Sequence, residues 1–278
     1  QIREAIIDVT DSNARVISPP VVIRGPDAPP APARSTPLKS RLTRFAFESK
    51  ALGETRRGTI YVPAASPDAP RLPVIYLADG ATFQFAPILE AAVRDGRASP
   101  AIIVGIDSAD GFVPDCGKPY CDRRNLDYQS SQEAGETRPD PQFTRHLNFV
   151  ADELVPWIEA NYPASSRRQD RIVAGYSSGA AWAFAAAALR PDLFGNVLGM
   201  SAGSAATMHH AEALGNARIY TGAGTFEPTF LASTRERARR AKAAGAEVRF
   251  REVLAGHSMA MWDILFAEGI SWLLPSGR

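Results

Sequence analysis

The sequence predicts an α/β fold built on a mostly parallel, doubly wound sheet flanked by helices. Two observations lead to this prediction. From residue 41 onward, short apolar runs alternate with helical patterns, and several of the runs consist of Val, Ile or Leu almost without interruption. Such runs are typical of strands buried on both faces of a parallel sheet. Ligands of these sheets bind beyond the carboxyl ends of the strands, so we expect the functional residues there.

Eight strand candidates follow one another along the chain. The first two, residues 43–47 and 59–62, flank a polar stretch and predict an antiparallel pair near a sheet edge. The others are residues 74–77, 101–106, 171–174, 197–200, 217–220 and 248–253. Helical patterns cover residues 143–161, 179–189 and 229–244. Gly245 follows the last of these patterns and suits a helix C-terminus.

The N-terminal segment has a different composition. Seven of the 22 prolines lie between residues 18 and 37, and the missing N–H donors exclude a helix or a sheet ladder there. We expect an extended arm, preceded by a lone edge strand within residues 6–22. The sequence therefore divides into an N-terminal extension with a proline-rich arm (1–40) and one large α/β domain (41–278).

Charge and hydropathy exclude two classes of partner. Lys and Arg total 31 against 30 Asp and Glu, a formal net charge of +1, so we expect no binding of nucleic acid. No run reaches the ~18 apolar residues needed to span a bilayer. Because the chain begins at Gln1 without a basic and apolar leader, we interpret it as a processed or trimmed product.

The two cysteines, Cys116 and Cys121, lie in a loop-like stretch rich in Asp, Gly and Pro. Four ligands at zinc-finger spacing are missing, so we expect no structural metal site. A local disulfide is expected, with two free thiols as the alternative. A disulfide would indicate an oxidising compartment, so a periplasmic or secreted location is favoured over a cytoplasmic one.

The most informative segment is a Gly-x-Ser-x-Gly pattern formed by Gly175, Ser177 and Gly179. A strand candidate runs directly into it and a small-residue helix pattern runs directly out of it, which is the context of a nucleophile elbow. The glycines allow strand and helix to pass closely while the serine hydroxyl projects above the sheet. We therefore predict that Ser177 is a nucleophile. A turn that only caps the helix is the alternative.

A serine hydroxyl needs a base within hydrogen-bond reach to attack at neutral pH. His257 follows the last strand candidate and is the predicted base. Surface or pocket-wall positions are expected for His146, His209 and His210. A metal site at the His209–His210 pair lacks further clustered ligands.

The third member of a triad is a carboxylate that orients the histidine, and in this architecture it lies between serine and histidine in the chain. No aspartate occurs between Asp192 and Asp263. The candidates left in that interval are Glu212, Glu227, Glu236, Glu247 and Glu252. Glu227 is preferred because it follows a strand by a short glycine-containing loop. A carboxylate that only interacts with the helix N-terminus ahead of Pro228 is the alternative.

Acyl transfer also needs hydrogen-bond donors aimed at the developing oxyanion. The N–H of Ser178, the residue after the nucleophile, is one predicted donor. The loop after the strand at 74–77 supplies the second from Gly80 or Ala81, and Asp79 is interpreted as a turn former. This chemistry requires no metal and no cofactor.

Several segments together resemble the putative-esterase family of α/β-hydrolases, which includes enterochelin esterases, S-formylglutathione hydrolase (esterase D) and the mycolyltransferases of the antigen 85 complex. The similarity extends over roughly residues 41–274. It rests on residues 74–80, 124–128, 149–162, the serine pattern, 190–194 and Gly256-His257 followed by Trp262. The resemblance implies an α/β-hydrolase fold, with Ser177, Glu227 and His257 in the triad positions and Ala81 and Ser178 as oxyanion donors.

The enterochelin-esterase branch is the more similar one, through residues 77–83 and the Arg-x-x-Asp-Tyr segment that begins at Arg124. Departures in the elbow weaken the thioesterase interpretation. Arg124 and Tyr176 are the candidate substrate-binding residues. Arg123 and Arg124 suit an anionic substrate, and a structural ion pair with Asp127 is the alternative.

The leading hypothesis is a serine carboxylic-ester hydrolase that acts through an acyl-enzyme on a small ester, with siderophore-type esters as one option. An acyltransferase or an S-formylglutathione-type thioesterase with the same triad is the first alternative. A non-catalytic binding module is the second. The presence of all three triad residue types in the right order argues against it, because a binding protein gains nothing from a strained serine.

Overall fold

Ten strands and seven α-helices are present in the computed structural model, which describes residues 2–4, 22–26, 28–64, 70–131, 138–203 and 211–277. The strands are β1 Ile2–Glu4, β2 Val22–Arg24, β3 Arg41–Ser49, β4 Glu54–Val62, β5 Val74–Ala78, β6 Ile102–Ile106, β7 Arg171–Tyr176, β8 Asn196–Met200, β9 Arg218–Gly224 and β10 Glu247–Val253. The helices are α1 Thr82–Arg94, α2 Arg123–Tyr128, α3 Pro141–Asn148, α4 Val155–Asn161, α5 Ser178–Leu189, α6 Pro228–Ala243 and α7 Met259–Leu273.

Eight of the strands form one sheet in the order β10-β9-β8-β7-β5-β6-β4-β3. All pairs from β10 to β6 are parallel, whereas β4 runs antiparallel to both β6 and β3. Every residue of β5, β6 and β8 is buried. The predicted mostly parallel sheet with an antiparallel pair at one edge is therefore confirmed.

Helices cover both faces of this sheet. Successive side chains of a strand point to opposite faces, so Tyr76 and Leu77 of β5 belong to two different cores. The core on the Leu77 side is completed by α1 and α7, which contribute Phe85 and Phe266. The core on the Tyr76 side is completed by α3, α4, α5 and α6, with Trp182 of α5 fully buried at its centre. This arrangement leaves the carboxyl ends of the parallel strands free to carry loops.

The predicted helix at residues 143–161 is in fact three pieces. A turn of π-helix, Phe149–Leu154, separates α3 from α4. Pro156 gives the physical reason, because proline has no N–H to continue the α-helical ladder and its ring crowds the carbonyl four residues earlier. The apolar stripe nevertheless remains on the buried side, since Leu147, Val150 and Leu154 are all buried.

Two helices, α1 and α2, are absent from the sequence-based prediction. Pro87 lies inside α1. Because proline has no N–H to donate and is unfavourable in the interior of a helix, its presence argues against a helix in a prediction from sequence. Helix α2 has only six residues and is too short to show a periodic pattern. Both helices follow carboxyl ends of strands, so the omission affects the region where function is expected.

The N-terminal segment is described in part. Of the predicted strand at residues 6–22, only Val22 is described, and it begins β2, which pairs antiparallel with β1. Residues 28–40 form neither helix nor strand, as the prolines predict. They lie along α1: the N–H of Ser35 donates to the carbonyl of Pro87 at 2.9 Å, and that of Lys39 donates to Glu90 at 2.9 Å.

Three further predictions concern cross-links, metals and membranes. The predicted disulfide is confirmed, because Cys116 and Cys121 are joined. The described residues contain no group of three or more His, Cys, Asp or Glu placed to hold a metal ion. In the same parts of the chain, no helix combines the length and apolarity needed to cross a bilayer.

Candidate active site

Ser177 occupies the sharp turn between β7 and α5. Its backbone has φ 56° and ψ −126°, a conformation that is strained for a residue with a Cβ. Hydrogen bonds to β8 and the loop after it help to hold this backbone: the Ser177 N–H donates to the carbonyl of Met200, and the N–H of Gly203 donates to the carbonyl of Ser177. A Cβ on Gly175 would lie 2.4 Å from backbone atoms of Gly179, so the close approach of strand and helix requires a glycine there.

His257 lies beside the serine, at the start of the segment that leads into α7. Its Nε2 atom is 3.1 Å from Oγ of Ser177, and its Nδ1 atom forms a hydrogen bond with Oε2 of Glu227. The imidazole packs between the ring of Phe230, 4.0 Å away between centroids, and the edge of Trp262 at 4.8 Å. The structure thus brings together the three residues that the sequence predicts as a triad.

Glu227 is buried, and both of its carboxylate oxygens are bonded. While Oε2 faces His257, Oε1 accepts hydrogen bonds from Oγ of Ser201 at 2.6 Å and from the N–H of Gly224 at 2.5 Å. Glu227 does precede α6 as the helix-capping residue, but its side chain forms no hydrogen bond to the helix. Glu227 therefore occupies the position of a helix-capping residue, but its carboxylate binds Ser201, Gly224 and His257 instead of the helix.

Ser201 is a residue of this site that sequence reasoning missed. It directly follows β8 in a left-handed conformation, with φ 54°, and is fully buried. Its hydroxyl donates to Glu227 and accepts the indole N–H of Trp262 at 2.9 Å. Its position in the sequence could have indicated this role, because Ser201 directly follows a buried strand and residues at the carboxyl ends of such strands line the functional site.

The peptide groups predicted to bind an oxyanion follow the neighbouring strands β5 and β7. Ser178 is the first residue of α5, and Gly80 and Ala81 lie in the turn between β5 and α1. Within the described residues, the N–H groups of these three residues donate to no protein acceptor. Free N–H groups beside the nucleophile are what an oxyanion hole requires.

The other histidines contribute nothing to this arrangement. The predicted surface or pocket-wall position of His146 is wrong: its side chain is buried in the core among the rings of Tyr128, Phe149 and Trp182. The helix stripe places it on the core side of α3, and burial lowers the pKa of His146 to about 4, so the imidazole is neutral at pH 7. His209 and His210 lie outside the described residues.

The sequence matches the model of the family described as "Putative esterase" over residues 49–273. The chain belongs to this esterase family. Its sheet, with helices on both faces, is that of the α/β-hydrolase fold. No curated protein matches the sequence.

Solved structures similar to the esterase share its fold at low sequence identity. The enterobactin esterase of Shigella flexneri, crystallised with 2,3-dihydroxy-N-benzoyl-glycine, is 20% identical with a TM-score of 0.70; the match covers 91% of this chain and 65% of that one. The ferric enterobactin esterase of Salmonella typhimurium is 22% identical with a TM-score of 0.70, over 91% and 64% of the two chains. A ferulic acid esterase of Anaeromyces mucronatus in complex with ferulic acid is 16% identical with a TM-score of 0.65, over 87% and 93%. The esterase therefore spans just under two thirds of the enterobactin esterases it matches.

Arg124 of the esterase is engaged by a carboxylate, but not by the one considered from sequence. Its Nε and Nη2 atoms donate to the two carboxylate oxygens of Asp79 at 2.5 and 2.8 Å. Asp127 instead pairs with Arg56 at 2.8 Å, so the alternative of an Arg124–Asp127 ion pair is wrong in its partner. Asp127 is close to Arg124 in the chain and Asp79 is 45 residues away, so sequence separation does not indicate which carboxylate pairs with Arg124. A direct contact of Arg124 with substrate stays a prediction.

Tyr176 lies at the end of β7, immediately before the nucleophile. Its ring stacks on Trp262 with centroids 4.3 Å apart and contacts Phe85. Burial raises the pKa of Tyr176 to about 12, so its hydroxyl is neutral at physiological pH. The ring joins the nucleophile strand to α7, and its predicted role in substrate binding remains to be tested.

Large apolar side chains are exposed on segments that follow several strand ends. Phe226 directly precedes Glu227, and Leu254 directly follows β10. The segment that follows β6 and contains the disulfide carries three more. The complete set of exposed large hydrophobic residues in the described ranges is Phe83, Phe112, Val113, Tyr120, Phe226 and Leu254. We call these six residues the apolar rim. Exposed apolar side chains on segments at the ligand-binding edge of a sheet suit an apolar or aromatic ligand.

Proposed function

We propose that the esterase hydrolyses small carboxylic esters through an acyl-enzyme intermediate on Ser177. The observation that carries this proposal is the hydrogen-bonded series from Oγ of Ser177 through His257 to the buried carboxylate of Glu227. His257 removes the proton as Oγ attacks the ester carbonyl carbon, and Glu227 stabilises the imidazolium that forms. The proton then passes from His257 to the departing alcohol.

The tetrahedral intermediate carries its negative charge on the former carbonyl oxygen. In our proposal this oxygen accepts hydrogen bonds from the N–H groups of Ser178 and of Ala81 or Gly80. Such donors accelerate the chemical step because the charge they stabilise develops only in the transition state. Water then attacks the acyl-enzyme with His257 as base, releases the acid and restores the free serine.

We propose an ester with an aromatic or other apolar group as substrate, with siderophore-type esters among the options. Two observations support this class. The apolar rim offers apolar contact area on segments that follow strand ends, and the structural neighbours named above are enterobactin and ferulic acid esterases. We further propose that residues 41–278 constitute the esterase domain and residues 1–40 its N-terminal extension, consistent with a family match that begins at residue 49.

Turnover of p-nitrophenyl acetate, butyrate and octanoate by the wild type and by Ser177→Ala tests this function. We expect the substitution to reduce kcat by about 10⁴-fold or more, because removal of the nucleophile leaves only binding and the oxyanion donors. A fluorophosphonate should label the wild type, and peptide mass spectrometry should locate the label on Ser177. Methyl ferulate against methyl butyrate then tests the preference for an aromatic group.

Ser271→Ala is the matched control, because Ser271 lies on α7 and its hydroxyl only donates to the carbonyl of Ala267. It should retain wild-type turnover and labelling. Wild-type turnover by Ser177→Ala, or a label on another residue, would contradict the proposal. Release of an ester instead of an acid in the presence of an added alcohol would assign acyl transfer to the same site.

A further inference from the structure

The short helix α2 contacts both loops that carry the proposed oxyanion donors. On one side, Arg124 donates two hydrogen bonds to the carboxylate of Asp79, and the phenol oxygen of Tyr128 accepts the Asp79 N–H at 3.0 Å. On the other side, Oδ1 of Asn125 accepts the hydroxyl of Ser178 at 2.6 Å. Asp79 stands two residues before Ala81, and Ser178 is itself a proposed donor. One turn of helix therefore touches the two halves of the proposed oxyanion hole.

The helix is in turn fixed to the body of the protein. Asp127 is fully buried and accepts hydrogen bonds from Arg56 of β4 at 2.8 Å and from Gln142 of α3 at 2.7 Å. At its N-terminus, the side chain of Asp122 caps the helix by accepting the N–H of Asn125 at 2.9 Å. The disulfide ends at Cys121, the residue before this cap. Helix α2 is thus anchored at both ends and along its buried face.

The turn that carries one oxyanion donor needs such an anchor. Asp79 and Gly80 both have left-handed backbones, with φ 66° and 60°. An aspartate adopts this conformation at a cost and retains it only where its surroundings hold it. Hydrogen bonds to both the backbone and the side chain of Asp79 provide that support. Without them the turn is free to relax, and the direction of the next N–H groups changes with it.

We propose that α2 is the element that positions the oxyanion hole: Arg124 and Tyr128 set the Ala81 side, and Asn125 sets the Ser178 side. These are positioning residues, since they act through other groups and touch no reacting atom. The inference rests on the proposed function, because it presupposes attack by Ser177. It predicts that weakening α2 contacts lowers transition-state stabilisation and leaves ground-state substrate binding unchanged.

Tyr128→Phe and Ser178→Ala each remove one contact and leave the peptide donors in place. With p-nitrophenyl butyrate as substrate, we expect kcat to fall about 5- to 30-fold in each variant and KM to change less than twofold. The inhibition constant of phenylboronic acid, which forms a tetrahedral adduct with the serine, should rise by a similar factor. Ser178→Thr retains a hydroxyl and should recover most of the loss.

The chain offers matched controls for both variants. Tyr76 is as buried as Tyr128, but its hydroxyl has no hydrogen-bond partner among the described residues, so Tyr76→Phe removes the same atom without breaking a contact seen there. Ser271→Ala is the control for Ser178→Ala. Both controls should keep wild-type kcat and wild-type affinity for phenylboronic acid. Ser178→Ala removes only one hydroxyl oxygen from the first residue of α5, so it provides the test even if Tyr128→Phe does not fold.

Equal kcat values for the two variants and their controls would overturn the positioning role of α2. A rise in KM alone would overturn it as well, because this would indicate a role in ground-state binding. The Ser177→Ala variant in the same assay keeps the two proposals separate. If Ser177→Ala is inactive while Tyr128→Phe and Ser178→Ala match their controls, only the inference about α2 is refuted. An active Ser177→Ala would refute the serine mechanism itself.

Discussion

The two sides of Ser177 are held by different kinds of contact. On the histidine flank, which comprises Ser201, Glu227, His257 and Trp262, hydrogen bonds to the buried Ser201 and Glu227 link side chains that follow β8, β9 and β10 or begin α7. Hydrogen bonding holds adjacent parallel strands about 5 Å apart. The histidine flank therefore takes its geometry from the sheet itself.

The oxyanion flank, which comprises residues 79–81, Ser178 and α2, depends on a separate helix. Its strongest link is the Arg124–Asp79 ion pair, in which the arginine side chain is 27% exposed. Separate contacts from Tyr128 and Asn125 support the same flank, so no single hydrogen bond holds it alone. We therefore expect that removal of one contact lowers kcat strongly on the histidine flank and only moderately on the oxyanion flank.

The largest effect is expected from the histidine flank. Glu227→Gln keeps the shape of the side chain but removes the charge that stabilises the imidazolium and selects its tautomer. We expect kcat for p-nitrophenyl butyrate to fall by about 10³- to 10⁴-fold, with the protein still folded. A loss below about tenfold would show that the histidine does not depend on this carboxylate, and the contrast between the flanks would disappear.

Glu236→Gln is the matched control for that variant. Glu236 lies on α6, partly exposed to solvent, and pairs with Arg239 and Arg240 on its own helix. The pair of arginines lowers the pKa of Glu236 to about 2, so this residue is also charged at pH 7. Removing its charge should leave kcat unchanged, because the side chain is far along α6 from the N-terminal end that Glu227 precedes.

A smaller effect is expected from the arm, which joins the two flanks from outside. Arg34 donates to the carbonyl of Gln84 at 2.7 Å and to the carboxylate of Asp263 at 2.5 Å. Gln84 lies in the first turn of α1, beyond Ala81, and Asp263 lies on α7, six residues after His257. Arg34→Ala should lower kcat/KM about threefold, because a partly exposed ion pair contributes about 1 kcal/mol or less.

Salt provides the control for this prediction. Raising the ionic strength should weaken the ion pair in the wild type and narrow the difference between the two proteins. Arg97→Ala removes an exposed arginine that pairs only with Asp95 and should match the wild type at every salt concentration. An Arg34→Ala variant as active as Arg97→Ala would mean that the arm does not support the site.

The smallest effect on the rate at neutral pH is expected at His146, which packs against Tyr128 beneath the oxyanion flank. Burial lowers its pKa from 6.5 to about 4, while nearby Asp127 opposes this shift and Arg56 adds to it. His146 therefore becomes protonated near pH 6.5 in the unfolded chain, but only near pH 4 in the folded protein. Stability from this source is complete above pH 6.5 and is lost as the pH falls towards 4.

His146→Phe removes this acid sensitivity. At pH 8 the kcat of the variant should equal that of the wild type. Urea unfolding at pH 8 and pH 5 should show that the wild type loses on the order of 1 to 2 kcal/mol more than the variant between the two values. If the difference in unfolding free energy between the wild type and His146→Phe is the same at pH 8 and pH 5, His146 is not a buried neutral histidine.

The serine and histidine of the site could be predicted because their signals are local. Ser177 lies between two glycines that a strand-turn-helix requires, and His257 follows the last buried run of the sheet. Glu227 was found by chain order and the absence of aspartate from the interval. Asn125 and Tyr128 carry no comparable signal, because their effect depends on a six-residue helix that shows no periodicity.

The sequence by itself determined the α/β class, the buried parallel strands, the nucleophile elbow and the family, because each depends on neighbouring residues or on a pattern repeated along the chain. Only the tertiary structure decided that Arg124 pairs with Asp79 instead of Asp127, that Ser201 supports Glu227, and that His146 is buried. These contacts join residues 26 to 45 positions apart in the chain. Which distant side chains meet depends on strand order and on the packing of loops over the sheet, and both are properties of the folded chain as a whole.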